Sequence, residues 1–131
     1  MITTAELLTH AEKAAARAYC PYSRFPVGAA TLWDDGSIYT GVNVENASSP
    51  LAVCAERNAI TTAVGRGARR LMMVAVWADV EDVVTPCGGC RQVMLEFAPE
   101  DLTELQVVMG GRGGMRLRSL AELLPDSFRS Y

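Results

Sequence analysis

Two short stretches decide how this chain is organised: Val53-Cys54-Ala55-Glu56-Arg57 and Thr85-Pro86-Cys87-Gly88-Gly89-Cys90-Arg91-Gln92. Each leads into a segment whose apolar spacing predicts a helix, over 54–64 and over 87–97. Three cysteines and a glutamate are therefore expected at the starts of two helices. The apolar segment 71–78 between them predicts a strand buried on both faces, at the centre of a sheet.

The remaining segments predict a scaffold around these helix starts. Thr3 and Glu6 have the capping-box spacing, which predicts a first helix over 3–19. The turn signal Asp34-Asp35-Gly36 predicts a β-hairpin. Other elements are expected as strands over 27–33, 37–44, 105–109 and 115–118 and as a helical turn over 120–124. This order predicts a single α/β domain over 1–131, a three-layer α-β-α arrangement around a mixed five-stranded sheet, with parallel strands in its β-α-β-α-β portion.

Composition excludes several classes of protein. The net charge of −3 and the lack of a long basic run argue against a nucleic-acid partner. Neither a signal-peptide core nor an apolar run of the ~18 residues needed to span a bilayer is present, so we expect a cytoplasmic protein without a membrane partner. The chain has one histidine, His10, which rules out a multi-histidine metal site.

The cysteines have the spacing of a metal site. Cys87 and Cys90 can clasp one ion, and Cys54 at another helix start supplies a third thiolate. Zinc takes four ligands, so three thiolates leave the open position that marks a catalytic site, in which the pKa of a water falls towards ~7. We expect Arg57 to tune the metal by hydrogen-bonding the sulfurs, and Glu56 to move protons.

A polar loop follows the predicted hairpin. Asn43 and Glu45 are two residues apart, so an extended backbone would place both on one face, where they could recognise vicinal hydroxyls. The residues alone leave an alternative open, a turn network in which these side chains bond their own backbone.

The chain resembles the cytidine deaminase family in its small, homotetrameric, three-cysteine form. The resemblance is carried by Cys54-Ala55-Glu56-Arg57 and Pro86-Cys87-Gly88-Gly89-Cys90-Arg91-Gln92, and extends to Tyr19-Cys20-Pro21-Tyr22-Ser23-Arg24-Phe25-Pro26-Val27-Gly28, Asn43-Val44-Glu45-Asn46-Ala47 and Leu124-Pro125-Asp126-Ser127-Phe128. This family carries a zinc-deaminase signature in which a glutamate serves as acid and base.

The resemblance implies zinc-dependent hydrolytic deamination of cytidine and deoxycytidine, in pyrimidine salvage. It implies one zinc ion per subunit, held by Cys54, Cys87 and Cys90, and Glu56 as the catalytic proton carrier. The substrate-binding residues that it implies are Asn43 and Glu45 at the ribose 3′-hydroxyl, Phe25 stacked on the base, Ala55, and Phe128 reaching into a neighbouring subunit of a homotetramer with shared sites.

One position departs from the family pattern. Ser49 stands where relatives usually have a tyrosine at a subunit contact beside the site. The change bears on the shape of the sugar pocket, on the tightness of the tetramer or on substrate choice.

Three alternatives remain open at this point. A structural zinc module would use Cys20 as its fourth ligand, and a dithiol redox protein would use Cys87 and Cys90 alone. A deaminase of a modified cytosine nucleoside such as blasticidin S would share the metal stretches. Substitution of Glu56 distinguishes the structural zinc module from a deaminase. A deaminase would keep its zinc and lose turnover, whereas a structural module would be unchanged.

Overall fold

The computed structural model describes residues 2–130. Within these residues, four α-helices and five strands follow one another, with two short 3₁₀ helices at Ser49–Leu51 and Leu102–Glu104. In chain order the main elements are α1 (Thr4–Ala15), β1 (Val27–Trp33), β2 (Ile38–Val42), α2 (Ala55–Gly65), β3 (Leu71–Ala78), α3 (Gly88–Phe97), β4 (Gln106–Gly111), β5 (Gly114–Ser119) and α4 (Leu120–Leu123).

The strands form one mixed five-stranded sheet in the order β2-β1-β3-β4-β5. Strand β1 is antiparallel to both of its neighbours, β3 and β4 are parallel, and β5 is antiparallel to β4. The central position predicted for 71–78 is confirmed, since β3 lies in the middle of the sheet. Strand β2 runs in the same direction as β3 and β4, but β1 separates it from them.

Helix α1 covers one face of the sheet. Leu7 and Ala11 pack there against Ala30, Ala75 and other apolar side chains of the strands. The approach is close at Gly28, where an added Cβ would lie 1.9 Å from the main-chain oxygen of Ala11. A glycine is required at this position because any side chain would collide with the helix backbone.

Helices α2 and α3 cover the opposite face, over a core that contains Ile60, Met94 and the β3 residues Val74 and Val76. Strand β2 meets α2 closely at Gly41, where an added Cβ would lie 2.4 Å from the Ala59 nitrogen. This packing fixes α2 and α3 against the same face, so that their N-terminal ends are brought together. The expected three-layer arrangement is confirmed.

The first helix is shorter than the sequence predicts. Its capping box at Thr3 and Glu6 is present, but α1 ends at Ala15 instead of residue 19. The Tyr19 N–H donates to the Asn43 carbonyl at 3.0 Å, and Tyr19 forms a bridge with Val44. This pairing, together with Pro21 just beyond, draws the chain out of the helix. Among residues 2–130, no helix is both long enough and apolar enough to cross a membrane.

Candidate active site

The two helix starts present the cysteines to one another. Cys54 is the N-cap of α2 and Cys87 the N-cap of α3, and the Cys87 sulfur accepts the Cys90 N–H at 3.5 Å. Arg91 fixes the start of α3, because its Nε donates to the Pro86 carbonyl at 2.8 Å and its guanidinium also reaches the Leu123 carbonyl at 2.7 Å. Both N-termini direct their positive dipole ends towards the thiols.

The three thiols converge as a metal site requires. Their sulfurs all lie within 4.8 Å of one another, and the Cys54 and Cys87 sulfurs are 3.8 Å apart. Two sulfurs bound at about 2.3 Å to one tetrahedral zinc would be separated by about 3.8 Å, so the donor set fits this ion. Among the described residues, Cys20 does not join the cluster, so it does not complete a four-cysteine structural site.

The electrostatics of the thiols depend on their neighbours. Burial, together with the charges of Glu56 and Cys54, raises the pKa of the Cys90 thiol. Burial acts in the same direction on Cys87, but the Cys90 N–H and the neighbouring thiols outweigh it and lower the pKa of Cys87. Thiols this close cannot all ionise without a compensating cation, which zinc would provide.

Arg57 lies against this cluster. Its guanidinium donates to the Cys54 sulfur at 3.5 Å, and this bond raises the pKa of Arg57. Its Nε atom is buried and has no hydrogen-bond partner within residues 2–130. A cation that bonds a ligand sulfur withdraws charge from it, which is the arrangement expected of a group that tunes a thiolate-bound metal.

Glu56 is the buried acid of the site. The residue is only 4% exposed, and burial raises the pKa of its carboxyl group, opposed in part by the Glu56 backbone N–H and by the Cys90 side chain. A buried carboxyl group with a raised pKa beside a reactive centre is typical of an acid or base in catalysis.

Cys54, Cys87 and Glu56 line one cavity. The cavity has a volume of about 230 Å³ and is lined by Val27, Asn43, Cys54, Ala55, Glu56, Val76, Val84, Thr85 and Cys87. Five of these residues were predicted as site residues, whereas Val27, Val76, Val84 and Thr85 were not. Thr85 directly precedes Pro86-Cys87, and Val76 lies on the same face of β3 as Val74. Both could therefore have been predicted from the sequence to lie near the thiols.

Asn43 and Glu45 form the polar wall of the site. Their side chains hold both the loop of residues 20–26 and the start of β1. The Asn43 amide accepts the Val27 N–H and donates to the Phe25 carbonyl, both at 2.9 Å. Glu45 accepts the N–H groups of Tyr22, at 2.9 Å, and Ser23, at 3.2 Å, and also the Ser23 hydroxyl. These bonds lower the pKa of Glu45, the Ser23 side chain being the main cause.

The network has spare bonding capacity. An ionised carboxylate accepts about four hydrogen bonds and a primary amide has two donors and two acceptor positions. Glu45 therefore keeps about one acceptor position, and Asn43 keeps one N–H and one acceptor position. A hydroxyl group, which both donates and accepts, would satisfy both residues.

The two aromatic residues predicted at the site lie outside this cavity. Phe25 is half-buried on the loop of residues 20–26, held through its carbonyl by Asn43. Phe128 is 60% exposed near the C-terminal end, and its carbonyl accepts the Gln92 amide at 2.8 Å. Within one chain, the structure does not bring Phe128 together with the thiols and Glu56.

Ser49 lines the same cavity as Glu45. A second cavity, of about 270 Å³, adjoins the loop and is lined by Tyr22, Ser23, Glu45, Asn46, Ala47, Ser49 and Ala52. Ser49 is exposed at the start of a 3₁₀ helix. The position at which the sequence departs from its family pattern therefore borders the polar wall of the region.

Comparison with known proteins assigns the chain to a family. Residues 1–105 match the model for the cytidine and deoxycytidylate deaminase zinc-binding region. A cytidine deaminase of Sporosarcina psychrophila is 45% identical over 127 residues, covering 94% of this chain and 89% of the relative. One from Mycobacterium tuberculosis is 45% identical over 119 residues, covering 91% and 84%.

Solved structures agree with this assignment. The crystal structure of cytidine deaminase from Burkholderia pseudomallei has a TM-score of 0.89 and 42% identity, covering 97% of this chain and 100% of its own. That of cytidine deaminase from Mycobacterium tuberculosis has a TM-score of 0.83 and 43% identity, covering 98% of each chain. Together with the convergent thiols and the buried glutamate, these matches show that the chain belongs to the zinc-binding cytidine deaminase family.

Proposed function

We propose that this protein is a zinc-dependent hydrolase that converts cytidine and deoxycytidine to uridine and deoxyuridine with release of ammonia. The observation that carries the proposal is the convergence of three thiols within 4.8 Å of one another, two of which, Cys54 and Cys87, line a cavity together with the buried Glu56. The family assignment supports it, because the relatives are cytidine deaminases.

Cys54, Cys87 and Cys90 would hold the zinc ion. When bound with an open position, zinc supplies Lewis acidity that brings the pKa of a water towards ~7. Arg57 and the two helix N-termini offset the charge of the thiolates, so that three negative ligands do not cancel this acidity.

Glu56 moves the protons of the reaction. Overall, water adds to ring carbon C4, and the C4–N bond breaks to leave a carbonyl group and ammonia. In the proposed mechanism, the Glu56 carboxylate takes a proton from the attacking water, gives it to ring nitrogen N3, and later helps to protonate the departing amino group. Its position in the cavity wall supports this assignment.

The polar wall binds the sugar. Glu45 accepts a hydrogen bond from the ribose 3′-hydroxyl and Asn43 donates one to it, using the bonding capacity that the loop leaves free. Deoxyribose keeps this hydroxyl, so both nucleosides are substrates. Phe25 stacks on the base and Ala55 contacts the substrate from the cavity wall.

We further propose that residues 1–131 form one catalytic domain. The protein would be a cytoplasmic homotetramer whose subunits share their active sites. Phe128 is 60% exposed near the C-terminal end, which suits a side chain that enters a neighbouring subunit's site. Native mass measurement tests this part, and a stable monomer would contradict the role given to Phe128.

The test of function is a substrate panel. The purified protein is incubated with cytidine, deoxycytidine, cytosine, CMP and blasticidin S, and ammonia release is followed. We expect release from cytidine and deoxycytidine. Release from blasticidin S alone would favour the modified-nucleoside alternative, for which the cavity beside Ser49 offers room. Activity on neither plain nucleoside would overturn the proposal.

A further inference from the structure

Ser23 links two residues of the proposed nucleoside site. Its hydroxyl donates to Glu45 Oε2 and accepts the Phe25 N–H at 3.1 Å. Its own N–H donates to Glu45 Oε1 at 3.2 Å. One side chain therefore joins the carboxylate proposed to bind the sugar to the main chain of the aromatic residue proposed to stack on the base.

The main chain of Phe25 is hydrogen-bonded on both sides, and Ser23 makes one of these bonds. The Phe25 carbonyl accepts the Asn43 amide at 2.9 Å, and the Phe25 N–H donates to the Ser23 hydroxyl. The peptide groups on both sides of Phe25 are therefore held by side chains, and together they set the direction in which the Phe25 Cα–Cβ bond leaves the backbone. Without the Ser23 hydroxyl, the N–H side would lose its anchor.

The backbone between Ser23 and Phe25 has a conformation that must be held by its surroundings. Arg24 has a φ of 56°, in the left-handed region that favours glycine. A residue other than glycine stays there only when its surroundings hold it. The Arg24 N–H donates to the Cys20 carbonyl at 2.9 Å, and the Ser23 bonds complete the fixation on either side of Arg24.

We propose that Ser23 is a positioning residue that sets the Glu45 carboxylate and the Phe25 ring for nucleoside binding. This inference rests on the proposed function. Ser23 lines the cavity beside Ser49 and does not line the one that contains Glu56, Cys54 and Cys87. It therefore governs the affinity for the nucleoside and leaves the chemical step unchanged. The lowered pKa of Glu45, whose main cause is Ser23, agrees with a carboxylate kept ionised to accept a substrate hydroxyl.

The test compares Ser23→Ala with Ser23→Thr. Loss of a hydrogen bond to a charged group corresponds to a change in affinity of about tenfold, so Ser23→Ala should raise KM for cytidine about tenfold, with kcat within about twofold of the wild type. Ser23→Thr keeps the hydroxyl and should restore KM. Ser37→Ala is the matched control, because the Ser37 hydroxyl donates to the Asp35 carboxylate at 2.6 Å in the β1–β2 turn; KM should not change.

A second measurement does not depend on turnover. Titration of the Glu45 carboxyl carbon by NMR should show a higher pKa in Ser23→Ala than in the wild type and Ser23→Thr. An unchanged KM in Ser23→Ala, or an equal loss in Ser23→Ala and Ser23→Thr, would overturn the inference and leave the proposed function intact. Inactivity of the wild type on both plain nucleosides would instead overturn the proposed function, and the inference with it.

Discussion

The two walls of the proposed site are built by opposite means. The thiol wall is made by helix starts, which hold Cys54 and Cys87 as N-caps and leave three sulfurs close together around space for an ion. The polar wall is made by a loop, and Asn43 and Glu45 already hydrogen-bond the loop of residues 20–26 and the start of β1. Secondary structure therefore positions the groups proposed for catalysis, and side-chain hydrogen bonds position the groups proposed for substrate binding.

This difference predicts which kinetic parameter changes when each wall is mutated. A change on the thiol wall should remove the metal or its acidity and so act on turnover. A change on the polar wall should act on affinity for the nucleoside, because the starts of α2 and α3, and not the loop, hold the thiols and Glu56.

The largest effect is expected from Cys87→Ser. It replaces a thiolate by a poor zinc ligand at the N-cap of α3, so zinc and deaminase activity should both be lost. Metal analysis of the purified protein and ammonia release measure the two outcomes. Cys20→Ser is the matched control, because Cys20 lies outside the thiol cluster and its loss should leave the zinc content unchanged. Loss of zinc from the control would restore the structural zinc alternative.

Next in size is Arg57→Gln. It removes the guanidinium that donates to the Cys54 sulfur, and the loss of an outer partner of a metal ligand lowers activity or metal affinity about 10–100-fold. Steady-state kinetics with zinc analysis measure the effect. Arg69→Gln is the control, since the Arg69 guanidinium donates to the Val64 and Ala68 carbonyls and not to a sulfur among the described residues. Equal activity in the two variants would remove the tuning role from Arg57.

Glu45→Gln sharpens the contrast from the other wall. The variant keeps the shape of the side chain but loses the charge that strengthens its hydrogen bonds, so KM for cytidine should rise about tenfold while kcat stays near the wild-type value. Asp35→Asn, which removes the carboxylate of the β1–β2 turn, should leave KM unchanged. A fall in kcat without a change in KM would contradict the division between the walls.

The smallest effect is expected away from both walls. Thr3→Ala removes the hydroxyl that accepts the Glu6 N–H at 3.1 Å in the capping box of α1, which should cost about 1 kcal/mol of stability. Thermal unfolding measures this cost, and kinetics at room temperature should not change. Thr9→Ala, within the helix, should alter stability by less than about 0.5 kcal/mol. A kinetic defect in Thr3→Ala would mean that the site depends on α1 more than the contacts indicate.

The sequence predicts the thiol wall better than the polar wall, for a physical reason. Helices, strands and N-caps are set by local spacing, so the bounds of β3 and the starts of α2 and α3 follow closely from the residues. The bonds from Tyr22 and Ser23 to Glu45 join residues 22 or 23 positions apart. No periodicity predicts a pairing of that kind. Another long-range pairing, of Tyr19 with Asn43 and Val44, draws the chain out of α1 after Ala15.

Asn43 and Glu45 show that one interpretation of a motif does not exclude the other. The sequence leaves open whether they recognise hydroxyls or bond the backbone. The structure shows the backbone bonds, to a loop distant in sequence, and leaves one acceptor on Glu45 and one N–H on Asn43 for a ligand. Their role in sugar binding, like the role of Phe128 in a neighbouring subunit, stays a prediction.

The most direct test of the central claim is Glu56→Gln, with zinc content and turnover of cytidine measured on the same preparation. The change keeps the volume of a side chain that is only 4% exposed and removes its capacity to carry a proton. We expect full zinc content, with deamination slowed by at least about 10²-fold. Turnover close to the wild-type rate in a protein that retains its zinc would contradict the account.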